Sequence, residues 1–154
     1  MSYYRAYICE NGHAISSLSD SCPDKHCAKC GAAVINKCPE CNGMIRGRSR
    51  SEYGFAAKYT VPSYCIECGK PYPWTRIAIQ STIYMLEESD LSYEEQNKLK
   101  EILPDIISET PRTALAAVRF KKAIISGGKF VADFLRQFAI DFGCEYLKNQ
   151  LDLH

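Results

Sequence analysis

The pattern of apolar and polar residues changes at residues 71–73. After them, apolar side chains recur every three or four positions over long stretches, which is the spacing of amphipathic helices. Before them lie eight of the nine cysteines and six of the nine glycines. We therefore divide the chain into a cysteine-rich module, residues 1–73, and a helical module, residues 74–154.

The spacing predicts four helices in the helical module. The first covers residues 74–88, and the second begins at a capping box formed by Ser92 and Glu95. Pro104 is expected to kink or divide the second helix, because proline lacks a backbone N–H. The predicted apolar face of the first helix contains Trp74, Ile77, Ala78, Ser81 and Met85, and that of the second contains Leu99, Ile102, Leu103, Ile106 and Ile107.

The third helix is predicted to begin at Thr110 and Pro111 and to end at the glycine pair 127–128. The fourth covers residues 129–151. The predicted apolar side of the third helix is Leu115, Val118, Ile124 and Ile125. The predicted face of the fourth is Phe130, Val131, Phe134, Leu135, Phe138, Phe142 and Tyr146.

The fourth helix is either the centre of an ordinary bundle or a surface for another molecule. A bundle of about 80 residues buries one wide face per helix, and this helix is apolar beyond one face. We therefore predict a homo-oligomer or partner interface at Phe134, Phe138 and Ile140.

Four pairs of potential metal ligands occupy the cysteine-rich module. They are Cys9/His13, Cys27/Cys30, Cys38/Cys41 and Cys65/Cys68. A Cys-x-x-Cys-Gly turn points two thiolates to one side, and glycine or asparagine accepts the backbone angles that follow. Eight ligands predict two closed tetrahedral Zn²⁺ sites per chain, one with four cysteines and one with three cysteines and a histidine.

Two arrangements of the pairs are open. Sequential ribbons join the first pair with the second and the third with the fourth, whereas a cross-brace joins alternate pairs. Sequential wiring is favoured, because each loop then closes over a shorter distance, and residues 32–35 predict a short strand between the ribbons. Cys22 and His26 are spare, and one of them is an alternative ligand to His13.

A basic cluster, Arg46, Arg48 and Arg50, is predicted on a loop. Lys58 and the aromatic residues Tyr53, Phe55 and Tyr59 lie nearby in the sequence. Basic and aromatic side chains together can bind phosphates and stack on bases. Exposed arginines that keep a loop hydrated are the simpler interpretation.

Composition and charge exclude several classes of protein. The formal charge is +1, which gives no strong signature of nucleic-acid binding. No stretch has the roughly 18 continuous apolar residues of a transmembrane helix. Because the N-terminus lacks a signal-peptide pattern and the cysteines are spaced as ligands, we expect a reducing cytoplasm. Closed ligand sets leave no position for a catalytic water, so no enzymatic activity is expected.

Several segments resemble a family of uncharacterised bacterial zinc-ribbon proteins. They are YICENGH at 7–13, CAKCG at 27–31, CPEC at 38–41, IRG at 45–47, CIECGKPYPW at 65–74, LPD at 103–105 and TPRT at 110–113. The resemblance implies a small β head, rubredoxin-like or a double zinc ribbon, with an all-α helical tail. It implies no enzymatic activity and gives no place to Cys22 or His26.

These observations favour a non-enzymatic adaptor or regulatory protein. The head would recognise a protein partner, and the helical tail would serve assembly. One alternative is a nucleic-acid-binding regulator that uses residues 46–50. A second is rubredoxin-like electron transfer by iron at the all-cysteine site, since four thiolates bind either metal.

Overall fold

A computed structural model of the chain describes residues 2–51 and 58–153. The chain forms two compact units, Met1–Ile77 and Ala78–His154. The sequence placed the boundary at residues 73–74. Both positions fall at or within the first helix, Pro73–Glu87.

Five short strands form two antiparallel sheets in the described part of the first unit. They are β1 (Tyr3–Arg5), β2 (Tyr7–Cys9), β3 (Ala14–Ser16), β4 (Val34–Ile35) and β5 (Arg46–Ser49). β1 pairs with β5, and the other sheet has the order β3-β2-β4. The strand predicted at residues 32–35 is confirmed in its second half as β4. With two to four residues per strand, these sheets have little stability of their own.

Arg46 and Arg48 of the basic cluster lie on a strand and not on the predicted loop, whereas Arg50 lies in the turn that follows the strand. β5 pairs with β1, and Arg46 stands opposite Arg5. An added Cβ at Gly47 would lie 2.5 Å from the carbonyl oxygen of Ser17 and 3.0 Å from that of Tyr4. Glycine is required here because neighbouring backbones approach closely. The pairing partner is some 40 positions away in the sequence, which is why local pattern did not predict the strand.

Five α-helices follow in the described residues. They are α1 (Pro73–Glu87), α2 (Tyr93–Ile107), α3 (Thr113–Ser126), α4 (Gly128–Phe142) and α5 (Glu145–Gln150). A small β region followed by a helical region is the architecture that the sequence predicted. Within residues 2–51 and 58–153, none of the helices has the length and apolar character needed to span a bilayer.

The prediction for α2 is confirmed at its start and on its buried face. Ser92 accepts a hydrogen bond from the backbone N–H of Glu95, and the Glu95 carboxylate accepts one from the backbone N–H of Ser92. All five residues predicted for its apolar face are buried. Pro104 does not divide the helix, which continues to Ile107.

The start of α3 was predicted too early. The helix begins at Thr113 rather than at residues 110–111. The Thr110 hydroxyl still accepts a hydrogen bond from the backbone N–H of Arg112 at 3.1 Å and donates one to Asp105 at 2.9 Å. Thr110 therefore orders the turn before the helix and does not cap the helix itself.

The apolar face predicted for α3 is largely wrong. Leu115, Val118 and Ile125 are exposed. The buried face consists of Thr113, Ala116, Ala117, Phe120 and Ile124, and α3 packs through it in contact with α2, α4 and α5. Alanine on this face leaves room for neighbouring helices. The prediction was based on large aliphatic residues, and it therefore missed a face that is rich in alanine. The same error occurs in α1, where Ile77 and Met85 are exposed and Thr82 and Leu86 are buried.

The predicted fourth helix is two helices. α4 ends before Gly143, whose φ and ψ are −63° and 142°, in the extended region. The next backbone N–H, of Cys144, donates to the carbonyl oxygen of Ile106 at 2.9 Å. An added Cβ at Gly143 would lie 2.5 Å from the carbonyl oxygen of Ala139. The chain thus leaves the helix at a glycine, because a bond to the end of α2 replaces a bond within the helix.

Candidate metal centres

The eight predicted ligands form two groups in the first unit. Site 1 contains Cys9, His13, Cys27 and Cys30, and site 2 contains Cys38, Cys41, Cys65 and Cys68. In each group the ligand atoms all lie within 4.8 Å of one another. This is the sequential arrangement and not the cross-brace. Cys22 and His26 belong to neither group, so the structure does not support either as a replacement for His13.

The local backbone explains why the pairs point together. In each pair the backbone N–H of the first cysteine donates a hydrogen bond to a backbone carbonyl oxygen across a tight turn, at 2.8–3.0 Å. Each turn also contains one residue with positive φ, and these residues are Gly12, Gly31, Asn42 and Gly69. Asparagine is one of the few residues that adopt this conformation readily, so it can stand where the other turns have glycine. The four turns therefore follow from local sequence alone.

The distances between ligand atoms fit a tetrahedral zinc ion. The Sγ atoms of Cys9 and Cys30 are 3.7 Å apart, and those of Cys38 and Cys68 are 3.8 Å apart. With Zn–S bonds of about 2.3 Å, the edge of a tetrahedron is about 3.8 Å. The Nδ1 atom of His13 lies 3.4 Å from the Cys9 sulfur. The distance expected between a sulfur and a nitrogen ligand of a tetrahedral zinc ion is about 3.5 Å. These spacings are far longer than the roughly 2.0 Å bond of a disulfide.

The electrostatics of the thiols also fit a bound cation. The backbone N–H of Ala32 and the side chain of Asn11 lower the pKa of Cys30 to about 6. Burial opposes ionisation of Cys65, but backbone N–H groups within its own turn lower its pKa to about 6. Burial raises the pKa of Cys9. The backbone N–H of Gly43 lowers the pKa of Cys41, but burial and the neighbouring cysteines of site 2 outweigh it, so that the pKa of Cys41 is raised. Several thiolates this close repel one another, and a divalent cation removes that repulsion.

Aromatic side chains connect the surroundings of the two sites. The Trp74 indole stacks on Tyr72 with ring centroids 4.7 Å apart and donates from Nε1 to the Pro62 carbonyl oxygen at 2.8 Å. Tyr72 in turn interacts with the Cys65 thiol of site 2. An added Cβ at Gly12 would lie 2.9 Å from the Trp74 Cβ. Trp74 therefore contacts the turn of site 1 and the aromatic neighbour of site 2.

The sequence analysis placed Trp74 on a helix face and did not predict its contacts beside the two metal sites. Gly12, in the turn between Cys9 and His13, was the available signal, because glycine there allows both positive φ and close approach of a large side chain. On the surface of site 2, the Glu40 carboxylate accepts hydrogen bonds from Arg76 at 3.0 Å and Lys70 at 3.5 Å. These partly exposed ion pairs contribute modestly to stability.

The basic cluster is partly engaged within the protein. The Arg46 guanidinium lies 4.6 Å from the centre of the Tyr3 ring, and the Arg46 carbonyl oxygen accepts a hydrogen bond from the Tyr59 hydroxyl. The Nε atom of Arg48 is buried and has no hydrogen-bond partner among the described residues. Lys58 is exposed.

Arg50 is the most constrained member of the cluster. Its guanidinium lies 4.2 Å from the centre of the Tyr4 ring and forms an ion pair with Asp20. Hydrogen bonding from Arg50 also lowers the pKa of Asp20. Tyr53 and Phe55, which were expected to accompany the cluster, lie outside the described residues. The guanidinium groups of Arg46 and Arg50 therefore lie over Tyr3 and Tyr4 of β1. Of the aromatic residues expected beside the cluster, Tyr59 bonds to the backbone of Arg46.

The predicted interface residues have three different environments. Phe138 is 5% exposed and belongs to the core of the helical unit, so it offers almost no surface to a second molecule. Its ring stacks on that of Phe142 within the helical unit. Phe134 is half-buried against Phe130. Ile140 is exposed.

One protein-family model matches nearly the whole chain. The model of the bacterial family DUF2321, described as "Uncharacterized protein conserved in bacteria", matches residues 2–151. The chain therefore belongs to this family, in agreement with the resemblance seen in its motifs. No curated protein and no solved structure matches the chain.

Proposed function

We propose that this member of the bacterial family is a non-enzymatic zinc-ribbon protein that binds a protein partner and uses its helical region for assembly. The observation that supports this most is the pair of four-ligand groups with tetrahedral spacing. Cysteine-rich sets of this kind, carried on tight turns, are typical of structural zinc.

The ligand count argues for a structural role of the metal. A catalytic zinc site has three protein ligands and an open position for water, whereas each group here offers four. Two of the four ligands in each group are buried cysteines, so the metal would replace a hydrophobic core in a unit with very short strands. We propose zinc at both sites and a binding role for the surface that they support.

A protein partner is favoured over nucleic acid by the charges of the first unit. Residues 1–77 hold ten basic and six acidic side chains. With zinc, a Cys₃His site adds −1 and a Cys₄ site adds −2, which brings this region near zero. Arg50 is paired with Asp20, so its guanidinium is not free to bind a phosphate.

Copurification from a bacterial host that carries the protein tests this proposal. The wild-type chain, Cys38→Ser and the control Cys22→Ser would be crosslinked in cells and analysed for protein and nucleic acid. We expect one protein partner with the wild type and with Cys22→Ser, and much weaker recovery of it with Cys38→Ser, which removes the metal-dependent part of the binding surface. Recovery of nucleic acid without a protein partner would contradict the proposal.

Nucleic-acid binding is the second candidate, and one observation favours it. The guanidinium groups of Arg46 and Arg50 are held over tyrosine rings, which gives a surface of combined basic and aromatic character together with Arg48 and Lys58. Affinity for RNA and DNA would be measured against salt concentration. A steep log–log slope that flattens when the three arginines become alanine would favour this function.

Electron transfer by iron at site 2 is a third candidate, since four thiolates bind either metal. Visible absorption separates it directly, because an iron–thiolate centre is coloured and a zinc centre is not. A colourless protein with full metal content would contradict electron transfer at this site.

A further inference from the structure

One face of α3 is apolar, basic and exposed. Leu115, Val118 and Ile125 are 54%, 64% and 76% exposed. Lys122 lies between them on the same face, and Arg119 and Lys121 flank it. We call these six residues the α3 outer face.

The packing of α3 fixes which side faces outward. Its opposite face, with Ala116, Ala117, Phe120 and Ile124, is buried in contact with α2, α4 and α5. Phe120 has no exposed surface. Because three helices hold this buried face, rotation of α3 cannot bury Leu115, Val118 and Ile125. The exposed aliphatic side chains are therefore a stable property of the folded unit.

The spacing of the α3 outer face is that of a helix-pairing seam. Leu115, Val118, Lys122 and Ile125 follow each other by three, four and three positions, which are the a and d positions of two heptads. Arg119 and Lys121 then occupy the flanking e and g positions. A helix of 14 residues is about 21 Å long, which is enough to pair with two heptads of a second helix.

The charge of this region indicates the chemistry of the second helix. Residues 110–129 contain five basic side chains and no acidic one. Residues 87–109, by contrast, contain eight acidic and two basic side chains. At e and g positions, opposite charges select the partner and like charges reject it.

We propose that the α3 outer face binds an acidic amphipathic helix of a partner protein. Its apolar side chains would pack on Leu115, Val118 and Ile125, and its flanking carboxylates would pair with Arg119 and Lys121. A carboxylate or amide opposite Lys122 would satisfy the one cation inside the seam. This inference rests on the proposed function, namely that the chain binds a protein partner.

A second copy of α3 fits this face poorly. Antiparallel or parallel pairing of two α3 helices brings the basic residues 119, 121 and 122 of both copies together, and such like-charge contacts are unfavourable. The acidic helix α2 has only one large apolar side chain among the exposed ones, Tyr93, so it offers no apolar stripe to cover the seam.

Two synthetic peptides of three heptads test the proposal. Both have leucine at a and d, apart from one central asparagine to face Lys122, and they carry glutamate or lysine at all e and g positions; like charges keep each peptide from pairing with itself. Fluorescence anisotropy with the full chain would measure binding. We expect the glutamate peptide to bind at least about tenfold more tightly than the lysine peptide, a difference of about 1.4 kcal/mol.

Matched variants locate the site. Val118→Glu and Ile125→Glu should each weaken binding of the glutamate peptide at least about tenfold, which is the size expected for a residue central to an interface. Tyr84→Glu, at a residue of α1 that is 58% exposed, is the control and should have no effect. Replacing Arg119, Lys121 and Lys122 together by glutamate should reverse the preference in favour of the lysine peptide.

Several results would overturn the inference. They are equal binding of both peptides, binding that survives Val118→Glu, a dimer in light scattering that Val118→Glu dissociates, and binding to phosphatidylglycerol vesicles in place of the peptide. Failure of this inference can be distinguished from failure of the proposed function. If a partner crosslinked in cells is retained by Val118→Glu and Ile125→Glu, the chain binds a protein through another surface and only this inference is wrong.

Discussion

Replacement of one buried ligand tests how much of the first unit depends on metal. Cys38 is 1% exposed, and its sulfur lies 3.8 Å from that of Cys68 in site 2. In Cys38→Ser the hydroxyl is a far weaker ligand than a thiolate, so site 2 loses one of four bonds. We expect the first unit to unfold in this variant.

The expected loss of folding free energy in Cys38→Ser is as large as the stability of the whole unit. A structural zinc site contributes on the order of 10 kcal/mol of apparent binding free energy, and this is also folding free energy. A whole domain is stable by only about 5–15 kcal/mol. The strands in the described part of this unit have at most four residues, so side-chain packing cannot replace the lost site.

Nuclear magnetic resonance of amide groups separates the two units in a single spectrum. In Cys38→Ser, signals of the first unit should collapse to the narrow range of unfolded chains, and signals of the second should stay dispersed. Cys22→Ser is the control, because Cys22 is a cysteine of the same unit that belongs to neither site. A Cys38→Ser protein with both units folded and a full metal content would refute the reasoning.

Three further predictions concern the core, a helix end and pH. Phe138→Ala should lower the free energy of unfolding of the second unit by about 3–5 kcal/mol, while Ile140→Ala changes it by less than about 0.5 kcal/mol; equal effects in denaturant titration would contradict the burial of Phe138. Ser92→Ala should cost about 1 kcal/mol through loss of the capping box, which the same titration measures, and no change would contradict the cap. The zinc affinity of the metal-free chain should fall continuously as pH falls, because protons compete with the metal for Cys9 and Cys41, whose pKa values are raised, and below about pH 6 also for Cys30 and Cys65, whose pKa values are lowered; affinity that is constant from pH 5 to 7 in a chelator competition would contradict this.

Features that depend on neighbouring residues were predictable from the sequence. The capping box of α2 joins Ser92 and Glu95, three positions apart, and its buried face repeats with helical period. Each ligand pair of the metal sites lies within one turn, so the turn geometry is encoded locally. The grouping of the pairs followed from loop closure, because a shorter loop loses less entropy when it closes.

Features that depend on distant contacts were not predictable in the same way. The end of α4 is set by a hydrogen bond from Cys144 to Ile106, and no local signal marks that partner. The strand β5 exists because it pairs with β1 at the other end of the unit. On α3, the neighbouring helices select the face with Ala116 and Ala117 and leave the larger residues Leu115 and Val118 outside.

The metal content of the purified chain tests the central claim most directly. Elemental analysis of protein prepared under reducing conditions without added metal should give two zinc ions per chain, one for each four-ligand group. Cys38→Ser should retain at most one, and Cys22→Ser should retain two. A content of one or no zinc in the wild type, or iron in place of zinc, would contradict the account.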